Sequence, residues 1–142
     1  MTVGSQRDFR ASMQCLPDAA AFIESFCRDQ GISANDMLRL TLVIEEIFTN
    51  AVHHGHGGDS DAPIRLRLNA SPGEIDVVYE DTAPAFDPTA RVDQSGAELE
   101  SDLDKSRVGG LGVVLVKQMA RSFKYTRERG LNRLRLVLPR QP

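Results

Sequence analysis

The chain has 142 residues, 41% of them hydrophobic and 26% charged, with 17 Lys+Arg against 20 Asp+Glu and a net charge of −3. That length suits one domain, and that apolar fraction supplies a core and excludes extended disorder. The charge is lopsided: residues 1–104 hold 7 basic and 19 acidic residues, net −12, and residues 105–142 hold 10 and 1, net +9.

A basic end of this kind raises the prospect of nucleic acid or a membrane surface. A membrane span is not expected, since the longest apolar run in the C-terminal half is Val113–Val116 against the ~18 residues a spanning helix needs. Met1 to Ala11 carries Gln6, Arg7, Asp8 and Arg10 and lacks an apolar signal core, so export is not expected either. Cys15 and Cys27 form no CxxC pair and read as buried thiols of a reducing cytoplasm.

Along the chain, Phe9 to Gln14 reads as a short first strand. Pro17 then sits where a first helical turn tolerates it, and Ala21, Phe22 and Phe26 follow, so a helix is predicted up to Gly31. Ser33 with Asp36 three places on resembles a capping box with Asp for Glu. A long helix follows to Gly55, apolar over more than one stripe and therefore mostly buried.

Ile64, Leu66 and Leu68 alternate with Arg65 and Arg67, and Ile75, Val77 and Tyr79 alternate with Asp76, Val78 and Glu80, two strands joined by Ser71-Pro72-Gly73. Opposite charges on those polar sides, with Arg133 and Arg135 on the last strand, are expected to pair across an open sheet face. Residues 84–108 hold two prolines, five acidic residues from Asp93 to Asp104 and little apolar periodicity. A stretch of that kind inside a compact domain is usually functional. Gly109-Gly110-Leu111-Gly112 opens a third helix, and Phe123–Arg127 and Leu134, Leu136 and Leu138 form the last two strands around Gly130. The sum is an α+β two-layer sandwich, a mixed, mostly antiparallel sheet with helices on one face.

Three features carry chemistry. Glu46 and Asn50 are one turn apart on one face of an apolar helix, where polar groups are costly without partners. Asn50 offers a carbonyl oxygen that suits Mg²⁺, which takes few protein ligands, and Glu46 is placed as a general base; the plain alternative is a structural polar pair. Asp81 ends a strand beside Thr82-Ala83-Pro84-Ala85-Phe86-Asp87-Pro88 and can accept from an exocyclic amino group, or simply form a turn. The glycines at 109, 110 and 112 precede a helix whose free N–H groups favour anions, or serve only as a loose loop entry. No Gly-Lys-Ser/Thr follows, so this is not a P-loop. His53, His54 and His56 invite a metal reading, but no carboxylate or cysteine in the run completes a site, and Gly55 breaks the helix between them.

Glu46-Ile47-Phe48-Thr49-Asn50-Ala51-Val52-His53-His54-Gly55 resembles the N box of the GHKL ATPases. Asp81 to Pro88 looks like their first glycine box, and Arg107-Val108-Gly109-Gly110-Leu111-Gly112-Val113 like the second, with residues 87–108 as the ATP lid. The resemblance spans residues 9–138 and is strongest to stand-alone anti-sigma-factor serine/threonine kinases. It implies a Bergerat-type sandwich using Mg-ATP. In that reading Glu46 activates the acceptor hydroxyl, Asn50 holds Mg²⁺, Asp81 reads the adenine amino group, and Gly109, Gly110, Leu111 and Gly112 line the phosphates. Lys105 and Arg107, on the lid margin, are candidates for contacting the γ-phosphate, the alternative being two solvated basic residues, and His54, four beyond Asn50, is a candidate to approach the phosphates. Ala83 stands where the wider superfamily has Gly, so its methyl is expected to narrow the adenine pocket.

The function implied is that of a cytoplasmic kinase that phosphorylates a STAS-type anti-sigma-factor antagonist and binds a sigma factor. No helix with a phospho-acceptor His is evident, so the acceptor lies on another protein. The family's pairing through the N-terminal strand and first helix implies a homodimer. A second reading is an ATP-binding switch that alters partner affinity without phosphoryl transfer. A third is a nucleic-acid binder using the basic C-terminal third.

Overall fold

The computed structural model describes residues 3–87 and 110–141. Strand β1 (Val3–Arg10) leads through a single 3₁₀ turn (Met13–Cys15) into α1 (Leu16–Gln30), and α2 (Ala34–Asn50) runs on into a π-helical turn (Ala51–Gly55). Strands β2 (Pro63–Ser71) and β3 (Glu74–Asp81) follow, then α3 (Gly110–Met119), β4 (Ser122–Glu128) and β5 (Leu131–Pro139). The strands form one sheet in the order β1-β2-β3-β5-β4.

Local chemistry sets these boundaries. Pro17 occupies the first turn of α1, and Gly31 closes that helix in the left-handed region at φ 66°, where a side chain would be strained. The Ser33 hydroxyl accepts from the Asp36 N–H at 3.2 Å and starts α2. Between β4 and β5 both turn residues have positive φ, Arg129 at 53° and Gly130 at 78°. Two such residues match the right-handed twist of a tight hairpin.

The alternation in β2, β3 and β5 becomes an inner face of Ile64, Leu66, Leu68, Ile75, Val77, Leu134, Leu136 and Leu138, all buried. These pack against Ile23 and Phe26 of α1, Leu40, Val43, Ile44, Ile47 and Phe48 of α2, and Val116 of α3. Cys15 and Cys27 are buried free thiols. Among the described residues no helix is long and apolar enough to cross a membrane.

Two expectations are corrected. Among the described residues all four strand pairings are antiparallel, so the sheet they form is not mixed. The first strand is Val3–Arg10 rather than Phe9–Gln14. Ser12 caps the 3₁₀ turn through the Gln14 N–H, and Asp59 takes the Met13 N–H at 3.0 Å, which pulls this stretch out of the sheet. As an edge strand, β1 buries only Phe9 between residues 4 and 10, so it carries no period-2 signal.

The open face pairs Arg67 and Arg133 with Glu80 as the alternation implies, while Arg65 pairs with Asp8 of β1. Asp8 on β1 meets Arg65 at 2.9 Å, and Glu80 on β3 takes Arg67 at 2.9 Å and Arg133 at 2.7 Å. Arg121 also reaches Glu74, and Arg140 donates to the Gln30 carbonyl at 2.7 Å, so the basic third of the chain is spent partly on its own fold. Glu80 is buried, which by itself pushes its carboxyl up, but the Arg133 hydrogen bonds and the Arg67 charge more than offset this and hold it below the usual carboxylate range. A depressed folded pKa gives stability that is present above the ordinary glutamate pKa and is lost as pH falls through the folded one. Glu80→Gln should therefore cost about 1.5–3 kcal/mol in urea unfolding at pH 7. That cost should shrink as the buffer is taken below the ordinary glutamate range. A penalty that stays constant with pH would show that the charge contributes nothing.

Candidate functional site

Asn50 is the last residue of α2, immediately before the π turn. Such a turn replaces i→i−4 bonds by longer ones, here the His56 N–H to the Ala51 carbonyl at 2.8 Å, and is common where a helix is bent around a site. Asn50 is 2% exposed, and among the described residues its Oδ1 has no hydrogen-bond partner. A buried amide oxygen left unpaired costs free energy. It is a ready ligand for a hard cation, so the residues present fit Mg²⁺. One turn earlier, Glu46 is half-buried, and burial together with the Glu45 charge pushes its carboxyl up. That is the shift expected of a proton acceptor near neutral pH.

Asn50 lines a cleft with Ile47 of α2 and Ala51 of the π turn, and Asp81 lines the same cleft from the end of β3. Phe86 and Val116 of α3 contribute further walls. Period-2 geometry puts Asp81 on the inner face with Tyr79, and the sheet register sets Asn132 of β5 directly opposite. The carboxylate is tightly held. Its Oδ1 accepts from Asn132 Nδ2 at 2.9 Å and from the Ala83 N–H at 3.2 Å, and its Oδ2 accepts from the Tyr79 hydroxyl at 2.7 Å. Burial, the Asp81 charge and this hydrogen bond raise the Tyr79 hydroxyl well above the usual range, so it stays a donor.

Asn132 organises the loop after β3. A carboxylate cannot donate, so the amide nitrogen must face Asp81, and the same nitrogen reaches the carbonyls of Ala83 at 3.0 Å and Pro84 at 3.1 Å. Its oxygen accepts from Tyr125 at 2.5 Å and from Arg127 at 2.9 Å, and Arg127 also donates to the Ala83 carbonyl at 2.8 Å. Tyr79, Asn132, Tyr125 and Arg127 escaped sequence reasoning. Tyr79 is legible once Asp81 is placed, being two positions earlier on the same strand face, whereas the others need the register of β5 against β3 and β4.

Ala83 is buried, and a Cβ built on Gly55 would lie 3.7 Å from its methyl, which is thus turned toward the π turn. His54 stacks on Phe86, ring centroids 6.1 Å apart and planes 13° apart. The His56 side chain is buried with Nε2 3.6 Å from Asp81 Oδ2, and His53 is exposed. Among the described residues no group of three or more His, Cys, Asp or Glu is placed to hold a metal ion. Gly110, Leu111 and Gly112 form the first turn of α3, one turn before the cleft-lining Val116. Lys105, Arg107, Gly109 and residues 88–108 of the expected lid lie outside the described residues.

Residues 9–138 match the family model described as the histidine kinase-like ATPase domain. The serine/threonine-protein kinase BtrW of Bordetella bronchiseptica is 29% identical over 120 residues, 84% of this chain and 82% of that one. The serine-protein kinase RsbW of Listeria innocua is 26% identical over 103 residues, 72% of this chain and 66% of that one, so the chain spans just under two thirds of that relative. Among solved structures, the SiaB–SiaC complex from Pseudomonas aeruginosa superposes with a TM-score of 0.66 at 15% identity, over 94% of this chain and 88% of that one. The RsbU and RsbW domains of Rv1364c from Mycobacterium tuberculosis give 0.63 at 14% identity, over 99% of this chain and 33% of that one. At such identities the superpositions speak for the fold, a Bergerat-type α+β sandwich.

Proposed function

The chain belongs to the histidine kinase-like ATPase family, and from that premise we propose that it is an ATP-dependent serine/threonine protein kinase. The observation that carries this reading is that the orphaned Asn50 Oδ1 and the Asp81 carboxylate line one cleft from opposite walls, with Glu46 one helical turn from Asn50. Asp81 accepts a hydrogen from the amino group of the base. Asn50 would hold Mg²⁺, which supplies charge neutralisation at the phosphates when bound. Glu46 takes the proton of the acceptor hydroxyl. The first turn of α3, at Gly110, Leu111 and Gly112, offers N–H groups to phosphate, with Lys105, Arg107, Gly109 and His54 as further phosphate contacts.

The acceptor is proposed to be a STAS-type anti-sigma-factor antagonist, and the second partner a sigma factor. Support comes from the relatives named as serine kinases. A cytoplasmic homodimer pairing through β1 and α1 belongs to the same reading.

Calorimetry with Mg-ATP tests the nucleotide step. Asp81→Asn keeps the shape but turns an acceptor into a group that can donate, and it should weaken ATP about 10- to 100-fold, the equivalent of 1.5–3 kcal/mol for a charge-assisted hydrogen bond. Unchanged affinity would remove Asp81 from base recognition.

A further inference from the structure

Asp81 can do more than accept one hydrogen, and its surroundings decide how much more. An ionised carboxylate offers about four lone-pair positions. Both on Oδ1 are taken by Asn132 and Ala83, and one on Oδ2 is taken by the Tyr79 hydroxyl. His56 Nε2, at 3.6 Å from Oδ2, makes no hydrogen bond. One position on Oδ2 is left.

We propose that Tyr79 is a positioning residue that leaves Asp81 a single open acceptor position, and thereby sets a preference for purines carrying a 6-amino group over those carrying a 6-oxo group. The inference rests on the reading of Asp81 as the group that meets the base. An amino group donates and fills the vacancy; an oxo group only accepts and meets a carboxylate with nothing to donate. Sites built around a committed donor or acceptor reject the mismatched partner strongly, because a buried polar group is then left unpaired. Removing the Tyr79 hydroxyl opens a second position on Oδ2 in a buried setting. A water that fills it can donate to an oxo group.

A buried tyrosine hydroxyl needs a partner in any case. If Tyr79 served packing alone, its loss would weaken all nucleotides alike. The test is calorimetric binding of ATP and ITP, which differ at position 6, to wild type, Tyr79→Phe and Asp81→Asn. Wild type should favour ATP, and in Tyr79→Phe the ATP:ITP ratio should narrow about tenfold, most of it through tighter ITP. A ratio unchanged from wild type, or a wild type that binds both equally, overturns the inference. If Tyr79→Phe does not fold, Asn132→Ala removes a donor from Oδ1 and must narrow the same ratio; an unchanged ratio there overturns it as well. A wild type that binds neither nucleotide overturns the kinase reading itself, whereas an Asp81→Asn protein that binds ATP like wild type removes Asp81 from base recognition and overturns this inference with it.

Discussion

Glu46→Gln is expected to lower phosphoryl transfer to a STAS-type antagonist about 10²- to 10⁴-fold, the usual contribution of a positioned general base, while Mg-ATP affinity stays within about twofold. The amide keeps the volume and the place on α2 but cannot take a proton. Two further signatures follow from the raised carboxyl of Glu46. The base must be ionised to act, so the acid limb of kcat in the wild type should lie above the ordinary glutamate range, and the residual rate of the variant should lack that limb. The stability effect has the opposite sign to that at Glu80. A folded pKa raised above the unfolded value means that ionised Glu46 burdens the fold at pH values above both. Glu46→Gln should therefore match or exceed the wild type in thermal stability at pH 7–8 and lose that advantage as pH falls. Single-turnover transfer of labelled phosphate, with calorimetry for ATP, separates the steps. A variant that transfers at more than a tenth of the wild-type rate would place the base elsewhere, and transfer absent from the wild type as well would favour the silent switch.

Glu46, Asn50 and Asp81 were legible in the sequence because each depends on a short repeat. Four residues return a helix to the same face, and two residues return a strand to the same face, so the apolar neighbours reveal where these polar groups point. The capping Ser33 and the closing Gly31 were legible for a similar reason, as single positions with strong local chemistry. What stayed hidden depends on distance along the chain. Asn132 meets Asp81 across 51 positions and Arg127 meets the Ala83 carbonyl across 44, and no local pattern encodes either contact. Strand β1 was misplaced because an edge strand with one buried residue has no alternation to read. The charge split was legible as a fact but misleading as a signal: Arg133 from the basic end lies on Glu80 of the acidic part, directly opposite it in register.

Asn50→Ala is expected to separate function from stability in a way that identifies the role of its side chain. A buried asparagine kept for structure is hydrogen-bonded through both ends, and truncating it strands its partners at a cost of about 1–3 kcal/mol. Here Oδ1 has no partner among the described residues, so the folded protein already bears the desolvation of that atom. Removing it relieves the cost while opening a small cavity, and the two effects oppose each other. The net change in urea unfolding should stay within about 1 kcal/mol. Activity should respond quite differently. Without the oxygen the site loses its buried hard ligand, and transfer at fixed Mg²⁺ should fall at least about 100-fold, beyond the 10- to 100-fold loss typical of residues that only orient ligands. Chelation supplies the control. EDTA should weaken ATP binding to the wild type and leave Asn50→Ala nearly unchanged, because that variant has already lost the group through which the metal acts. If chelation weakens ATP equally in both proteins, or if the variant unfolds by several kcal/mol with its nucleotide affinity intact, Asn50 is a structural residue and the metal is held by other groups.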